Sequence, residues 1–278
     1  MVLDLKLGRR MSKKDISLDQ KVEQSRKLIK SILNSGDTEY IGKLILGFSG
    51  GKDSNVVYDL VMDIDNSIPC YYANTTIDPK GTLPYIRENF PNVEIVQPKE
   101  TFYQLVRRKG LPTRLNRYCC VFLKEHIGVG KNMFEGVRSE ESRNREGRDY
   151  IQCDTRKSYR GGQHIYPIYD WSEDDVWEYI KIRGIKTNPN YKQNGGCMTR
   201  IGCVGCPLAG KYQRLIEFEA FPRYLNAVKL AIGKGMAENP QWKLSQLTDG
   251  DADLAIKWWL SRKTMDEFFG KPDELKLF

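Results

Sequence analysis

The sequence contains little histidine and no long uninterrupted hydrophobic run. His126 and His164 are the only histidines among its 278 residues, and we assign a metal to neither. No segment approaches the length of a transmembrane helix, and residues 1–14 are basic without the apolar stretch of a secretory signal. We therefore expect a cytoplasmic protein with no membrane partner.

Low-complexity tracts and internal repeats are also absent. With 40% hydrophobic residues, the composition is that of a folded globular protein rather than a disordered one. Lysine and arginine number 44 against 36 aspartates and glutamates, which gives a formal net charge of +8. This charge favours phosphorylated or polyanionic ligands, and a nucleic-acid substrate is conceivable, although basic runs on helices are usually solvated faces.

Seven cysteines, an odd number, argue against a disulfide framework. Metal binding, thiol chemistry and buried thiols remain as explanations for them. Cys70 lies in a predicted buried strand and Cys153 in another run with apolar neighbours. We expect both of these thiols to be buried and inert.

Strand and helix patterns alternate along the first part of the chain. Strands are predicted at 43–48, 68–73, 93–97 and within 131–137, and helices at 15–35, 55–62, 83–89 and 172–183, the last with Ser172 as N-cap. This order predicts an α/β fold with an open, mostly parallel twisted sheet flanked by helices. We divide the chain into a basic helical extension (1–36), an α/β domain with a cysteine-bearing insertion (37–210) and a helical C-terminal region packed on the same domain (211–278).

The segment Ser49-Gly50-Gly51-Lys52-Asp53-Ser54 lies between the first predicted strand and the next helix. A strand, a glycine turn and a helix together direct backbone N–H groups and the positive end of the helix dipole at one point, where phosphate binds. The glycines permit the turn, Lys52 adds a positive charge, and Ser49 and Ser54 add hydroxyl donors. Asp53 either orients the loop or helps to hold Mg²⁺. The alternative is a glycine turn that binds nothing.

This loop differs from the GxxxxGK[ST] pattern and resembles the PP-loop of ATP pyrophosphatases, which cleave ATP between the α and β phosphates to adenylate a substrate. Three further segments, Asn74–Asp78, Gly136–Arg143 and Tyr166–Trp177, resemble the phosphoadenosine phosphosulfate (PAPS) reductase-like family of that superfamily. The resemblance covers roughly residues 44–210. It implies an adenine nucleotide alpha hydrolase-like fold that binds ATP, or PAPS or adenylylsulfate as substrate.

The same resemblance assigns nucleotide contacts outside the loop, which it gives to Thr76, Asp78, Gly136, Arg138 and Arg143. The two arginines would clamp phosphate or sulfate, whereas the alternative is that they are surface residues paired with nearby glutamates. Trp171 and the aromatic residues of the tail are expected to pack in the core.

The pairing of Cys119-Cys120 with Cys203-x-x-Cys206 resembles the [4Fe-4S] ligand set of adenylylsulfate reductases. Four thiolates complete one such cluster. The alternatives are a zinc site built from the same thiolates and a redox-active CxxC pair. Cys197 is a further candidate ligand.

Sulfonucleotide reductases of this family use a nucleophilic cysteine in a Glu-Cys-Gly-x-His-type motif near the C-terminus, and no cysteine follows Cys206 in this sequence. We therefore expect ATP-dependent adenylation for sulfur transfer, with Lys52, Asp53 and Arg138 as catalytic residues and Mg²⁺ as a cofactor. A sulfur-donor protein, a nucleic-acid substrate and a homo-oligomer are the expected partners. The alternatives are a PAPS or adenylylsulfate reductase that uses Cys197 or a partner's thiol, and a nucleotide-binding regulatory protein.

Overall fold

The structure is a computed structural model that describes residues 16–36, 40, 42–142, 145, 147–154 and 161–270. Arg143 and the basic segment over residues 1–14 lie outside the described residues. Among the helices of the described part, none is both long and apolar enough to cross a membrane.

Strands and helices alternate up to the third strand, after which two helices and then three further strands follow. After the sixth strand the described chain is helical. In chain order the elements are α1 (Leu18–Leu33), β1 (Leu44–Phe48), α2 (Lys52–Met62), β2 (Cys70–Ala73), α3 (Thr82–Asn89), β3 (Val93–Val96), α4 (Phe102–Lys109), α5 (Tyr118–Leu123), β4 (Asn132–Phe134), β5 (Ile151–Cys153), β6 (Gln163–Ile165), α6 (Glu173–Arg183), α7 (Lys211–Ala220), α8 (Pro222–Glu238), α9 (Lys243–Thr248), α10 (Ala252–Ser261) and α11 (Met265–Phe269).

The six strands form one sheet in the order β3-β2-β1-β4-β6-β5. The pairs β1–β4 and β4–β6 are parallel, with Leu46 opposite Phe134, and β5 runs antiparallel to β6. The predicted class, an open and mostly parallel sheet flanked by helices, is confirmed. The strand expected within 131–137 is present but covers only three residues.

The two cysteines that were predicted to be buried differ in their exposure to solvent. Cys70 begins the central strand β2 and is 2% exposed, as expected. The prediction for Cys153 is wrong, because this thiol is exposed. It lies at the end of β5, which is the edge strand of the sheet, so a neighbouring strand covers only one side of it.

Helix termini follow from their capping residues. Ser17 and Ser172 form capping boxes at the starts of α1 and α6, and Gly184 ends α6 in a left-handed conformation. The helix predicted at 55–62 begins earlier, at Lys52, because the glycine turn leads directly into its first turn. Residues 52–54 of the glycine-rich segment are therefore helical.

The chain forms two compact units. The first comprises residues 1–48, 52–70 and 128–186, and the second comprises residues 49–51, 71–127 and 187–278. In the first unit, the indole nitrogen of Trp171 donates to Ser25 on α1 at 3.1 Å, and Trp171 is buried as predicted.

The core of the second unit is formed by α4, α8 and α10 with their neighbours. Trp258 and Trp259 are buried there, which confirms the expectation for the aromatic tail. The indole nitrogen of Trp259 donates to the carbonyl of Pro112 at 2.6 Å, so the polar atom of this side chain is satisfied within the core.

Candidate functional site

The glycine-rich loop connects β1 to α2. Gly50 has φ of 70°, a left-handed conformation that favours glycine, and a Cβ there would lie 3.3 Å from Ile86. The Gly51 N–H donates to the hydroxyl of Ser49 at 3.4 Å. Since α2 begins at Lys52, the positive end of its dipole falls on the last residues of the loop.

Gly136, two residues beyond β4, packs directly on the backbone of the first turn of α2. A Cβ at Gly136 would lie 2.6 Å from the carbonyl carbon of Asp53 and 2.7 Å from the amide nitrogen of Ser54. No side chain fits at such distances, so the close approach depends on glycine at this position.

Two buried cations share one carboxylate beside the loop. Nε of Arg138 lies 2.5 Å from Oδ1 of Asp53, and Nζ of Lys52 lies 3.2 Å from Oδ2. Arg138 is 3% exposed and Lys52 is 4% exposed. Burial opposes the charge of Arg138, yet Asp53 raises the pKa of this arginine overall, so the guanidinium remains charged.

Of the two roles considered for Asp53, orienting the loop and holding Mg²⁺, these contacts favour the first. Both of its carboxylate oxygens accept from cations, so Asp53 orients Lys52 and Arg138 and offers Mg²⁺ no unshared oxygen. The contacts thus favour the orienting role. A Mg²⁺ contact of Asp53 stays a prediction, because each carboxylate oxygen keeps a second lone pair.

Two further carboxylates are weaker partners of the same cations. Glu140 contacts Nη1 of Arg138 at 2.9 Å and Glu173 lies 3.6 Å from Nζ of Lys52. Their side chains are 58% and 55% exposed, whereas the cations that they contact are buried. Because both glutamate side chains reach solvent, a phosphate could take the place of either carboxylate beside its cation.

Thr76 and Asp78 shape the segment after β2. Asp78 accepts from the Thr75 N–H at 2.8 Å, and the hydroxyl of Thr76 accepts from the N–H of Phe102 at the start of α4. Thr76 has φ of 60°, so this turn is tightly specified. The nucleotide contacts expected of Thr76 and Asp78 stay predictions.

The cysteine-bearing segment is attached to this turn. The Val204 N–H donates to the carbonyl of Ile77 at 2.9 Å, and the thiol of Cys203 lies 3.5 Å from the hydroxyl of Thr75. On the other side, Cys119 and Cys120 lie in the first turn of α5. All four predicted ligand thiols thus belong to the second unit.

Neighbouring groups shift the pKa values of Cys119 and Cys120 in opposite directions. A hydrogen bond with Cys120, burial, and the charges of Cys120, Cys203 and Cys206 raise the pKa of Cys119. The bond from Cys119 in turn lowers the pKa of Cys120 to about 6. The charge of Cys203 is the largest of several effects that raise the pKa of Lys124.

These observations test whether the residues fit a thiolate-bound metal group. The chemistry of the donor set fits, because four cysteines can supply four thiolates and the ammonium of Lys124 would offset part of their negative charge. The arrangement does not yet fit, because the four thiols do not form a group that could hold a metal ion in the described part of the chain. Whether Cys197 joins the ligand set stays a prediction to be tested.

The sequence interpretation missed Lys124, Glu140 and Glu173. Lys124 lies four residues after Cys120, a spacing that places neighbours on one helical face and could have identified it. The roles of the two glutamates depend on tertiary contacts with buried cations that no local pattern reveals. Arg143 was predicted to bind nucleotide, and it lies outside the described residues.

An open parallel sheet with a glycine-rich loop between its first strand and the following helix places the protein in the doubly wound α/β class, which binds ligands at the carboxyl ends of strands. Within that class, the phosphoadenosine phosphosulfate reductase domain family matches residues 43–209. The chain belongs to this family, as the motifs predicted.

Among curated relatives, an uncharacterized protein of Methanocaldococcus jannaschii is 28% identical over 190 residues, which are 64% of this chain and 45% of that protein. The chain thus spans less than half of its length. An adenosine 5'-phosphosulfate reductase of Staphylococcus haemolyticus is 26% identical over 180 residues, covering 60% of this chain and 71% of that protein.

Two solved structures are similar to the chain. A PAPS reductase from Candida auris in complex with phosphate has a TM-score of 0.45 and 15% identity, over 66% of this chain and 92% of that one. A U34-tRNA thiolase from Methanococcus maripaludis with its [4Fe-4S] cluster has a TM-score of 0.44 and 14% identity, over 81% of this chain and 82% of that one.

Proposed function

We propose that the protein binds ATP at Ser49–Ser54 and adenylates a substrate for sulfur transfer. The supporting observation is that the loop opening α2 is packed against Gly136 and flanked by two buried cations, Lys52 and Arg138. Buried cations held by a neighbouring carboxylate are preorganised to stabilise negative charge that develops on a reacting phosphate. Asp53 acts as a positioning residue for both.

The proposed reaction has two steps. An oxygen of the substrate attacks the α-phosphorus of ATP, the bond from this phosphorus to the bridging oxygen breaks, and pyrophosphate leaves with the bond's electron pair. A sulfur nucleophile from a donor then attacks the activated carbon, and AMP leaves. In the first step, Lys52 and Arg138 neutralise the negative charge that develops on the phosphates. Phosphate oxygens then take the places of Glu140 and Glu173 beside these two cations.

Cys119, Cys120, Cys203 and Cys206 would hold a [4Fe-4S] cluster, or zinc in the same thiolate set. A cluster would supply iron to which a sulfur ligand can bind. The chain's own contribution is Lys124, whose ammonium offsets the negative charge of the thiolates, and the bond from Val204 to Ile77, which fixes the position of the cysteine loop.

A second candidate is adenylylsulfate reduction, because the Staphylococcus haemolyticus relative bears that name. Cys197, which is half-buried, or a thiol of a partner would then attack the sulfate. A nucleotide-binding regulatory protein is the third candidate, and it would bind ATP tightly without turnover.

Product analysis separates these candidates. Anaerobically purified protein is incubated with ATP, sulfide, and pooled tRNA or DNA, and in parallel with adenylylsulfate or PAPS and a thiol reductant. The proposal expects AMP and pyrophosphate, with a loss of about 10²-fold in rate for Arg138→Ala. Arg183→Ala, which removes an exposed ion pair with Asp59, is the control and should keep the rate. Sulfite without pyrophosphate would overturn the proposal.

Metal analysis tests the thiol assignment separately. Iron, sulfide and zinc are measured in the wild type and in single Cys→Ser variants of the four ligand cysteines, with Cys197→Ser and the exposed Cys153→Ser as comparisons. We expect the four ligand variants to lose metal and the two comparison variants to retain it. Unchanged metal content in all variants would refute the thiolate site.

A further inference from the structure

A cavity of about 650 Å³ lies within the second unit. Its walls are the chain between α4 and α5, the beginning of α9, and the connection from α10 to α11, and Pro207 and Arg214 also line it. Cavities of about 300–1,000 Å³ are typical of sites for small organic ligands. None of the residues proposed above to bind ATP or metal lines this cavity.

The charge of the lining is of one sign. Six lining residues are basic and none is acidic: Lys109, Arg114, Arg214, Lys243, Arg262 and Lys263. Lys243 is paired with Asp266 at 2.8 Å, whereas no ion pair between described residues involves Arg114, Arg262 or Lys263. Such a surface attracts an anion.

Two buried donors belong to side chains that line the same cavity. Nη2 of Arg214 and Nε1 of Trp258 have no hydrogen-bond acceptor among the described residues. A buried donor left without an acceptor costs about 1–3 kcal/mol, so each needs an explanation. Both side chains line the cavity, so ligand acceptor atoms at its floor are the candidates to satisfy these donors.

Arg214 is held firmly enough to act as a fixed recognition group. Its Nε donates to the carbonyl of Gly205 at 3.1 Å, its Nη1 donates to the carbonyl of Trp259 at 2.8 Å, and its guanidinium lies 4.3 Å from the centre of the Trp259 ring. The side chain is 1% exposed. Two of the three guanidinium nitrogens are thus committed, and Nη2 remains.

The cavity also offers apolar and aromatic surface. Trp242 is half-buried in its wall, and Leu115, which is 95% exposed, projects from the rim. A ligand that combines negative charge, hydrogen-bond acceptors and a flat ring matches all of these features.

We infer that this cavity binds a nucleotide unit, with its phosphate near Arg114, Arg262 and Lys263 and its base against the tryptophan-bearing wall. The source of that unit is either a free nucleotide or a nucleotide within a single-stranded nucleic acid. The base carbonyl oxygens are acceptors of the kind that Arg214 and Trp258 lack.

Tryptophan fluorescence provides the test, because three of the five tryptophans line the cavity. The full chain is titrated with a short oligothymidylate, with thymidine monophosphate and with inorganic phosphate. No ATP, metal or sulfur donor is added beyond what the purified protein holds, so failure of this inference and failure of the adenylation proposal are distinguishable. A pyrimidine probe also avoids the adenine preference expected of the loop.

Two double variants make the same change in net charge, one at the rim of the cavity and one away from it. Arg114→Glu with Lys263→Glu alters two exposed residues of the rim, and Lys234→Glu with Lys257→Glu alters two exposed lysines of α8 and α10 that do not line the cavity. We expect the rim variant to weaken oligothymidylate binding at least about ten-fold and to lower its salt dependence by about one unit of slope per cation. The control should change affinity by less than about two-fold.

Each outcome is decisive. Tighter binding of the oligomer than of the monophosphate identifies single-stranded nucleic acid as the source, and equal binding identifies the free nucleotide; both support the site. The inference is wrong if neither probe binds at about 1 mM, a Kd equivalent to only about −4 kcal/mol. It is also wrong if the rim and control variants lose affinity equally, or if inorganic phosphate competes as well as thymidine monophosphate.

Discussion

Replacement of Gly136 by alanine gives the sharpest test of how the glycine-rich loop is held. The new Cβ would lie 2.6 Å from the carbonyl carbon of Asp53, and ordinary contact begins at 3.4 Å, so the loop or the chain at Gly136 must move by about 0.8 Å. The obstacle is backbone on both sides, and no flexible side chain can absorb the movement.

Such a displacement predicts two separate losses. Overpacking of this kind costs about 1–3 kcal/mol of the free energy of unfolding. Misplacement of a reacting group by about 1 Å costs about 10²-fold in rate, so adenylation should fall by roughly that factor. ATP affinity should also decrease, because Lys52 and Asp53 move with the loop.

Calorimetric titration with a non-hydrolysable ATP analogue and urea unfolding measure the two effects. Gly233→Ala in α8 is the control, since its Cβ would meet only Ala252 at 3.5 Å, an ordinary contact. We expect the control to be neutral or slightly stabilising, as for alanine in place of glycine within a helix. Wild-type nucleotide affinity and stability in Gly136→Ala would refute the reasoning.

Three other predictions follow from single contacts. Asp53→Asn should lower the free energy of unfolding by about 3 kcal/mol, because it leaves the charge of Arg138 largely uncompensated in a buried site; urea unfolding of wild type and variant measures this. A hydrogen bond to Glu135 raises the pKa of His164 above 6.5, so its stabilisation is fully present below pH 6.5 and is lost as the pH rises through the folded-state pKa. The stability difference between wild type and His164→Gln should therefore shrink from acid to alkaline pH in urea titrations. In native protein, a thiol reagent followed by mass spectrometry should label Cys153 rapidly and leave Cys70 unmodified, and rapid labelling of Cys70 would contradict its burial.

The fold could be predicted because its signals are local. The buried strand that leads to Ser49 and the capping box at Ser172 are each specified by a few adjacent residues, and both occur in the structure as expected. Cys153 shows the limit of such patterns. The apolar residues Tyr150 and Ile151 lie just before it, although Gln152 and Asp154 are its direct neighbours. Its exposure depends on where β5 lies in the sheet, and strand order is set by long-range pairing.

The candidate site shows the same division between local and long-range information. The loop from Ser49 to Ser54 and the CxxC pair can be read from the sequence. The sharing of Asp53 between Lys52 and Arg138 cannot, because it joins residues 85 positions apart. The role of Arg214 is equally hidden, since a lone arginine in an amphipathic helix is most often a surface residue, whereas this one is buried.

The position of Arg214 has a thermodynamic consequence. This one side chain holds the carbonyl of Gly205, between Cys203 and Cys206, and also lines the cavity of the second unit. A ligand that moved Arg214 would therefore alter the cysteine loop, and metal bound at the proposed thiolate site would alter the cavity. By linkage, the factor by which metal changes ligand affinity equals the factor by which ligand changes metal affinity, so the coupling can be measured from either side.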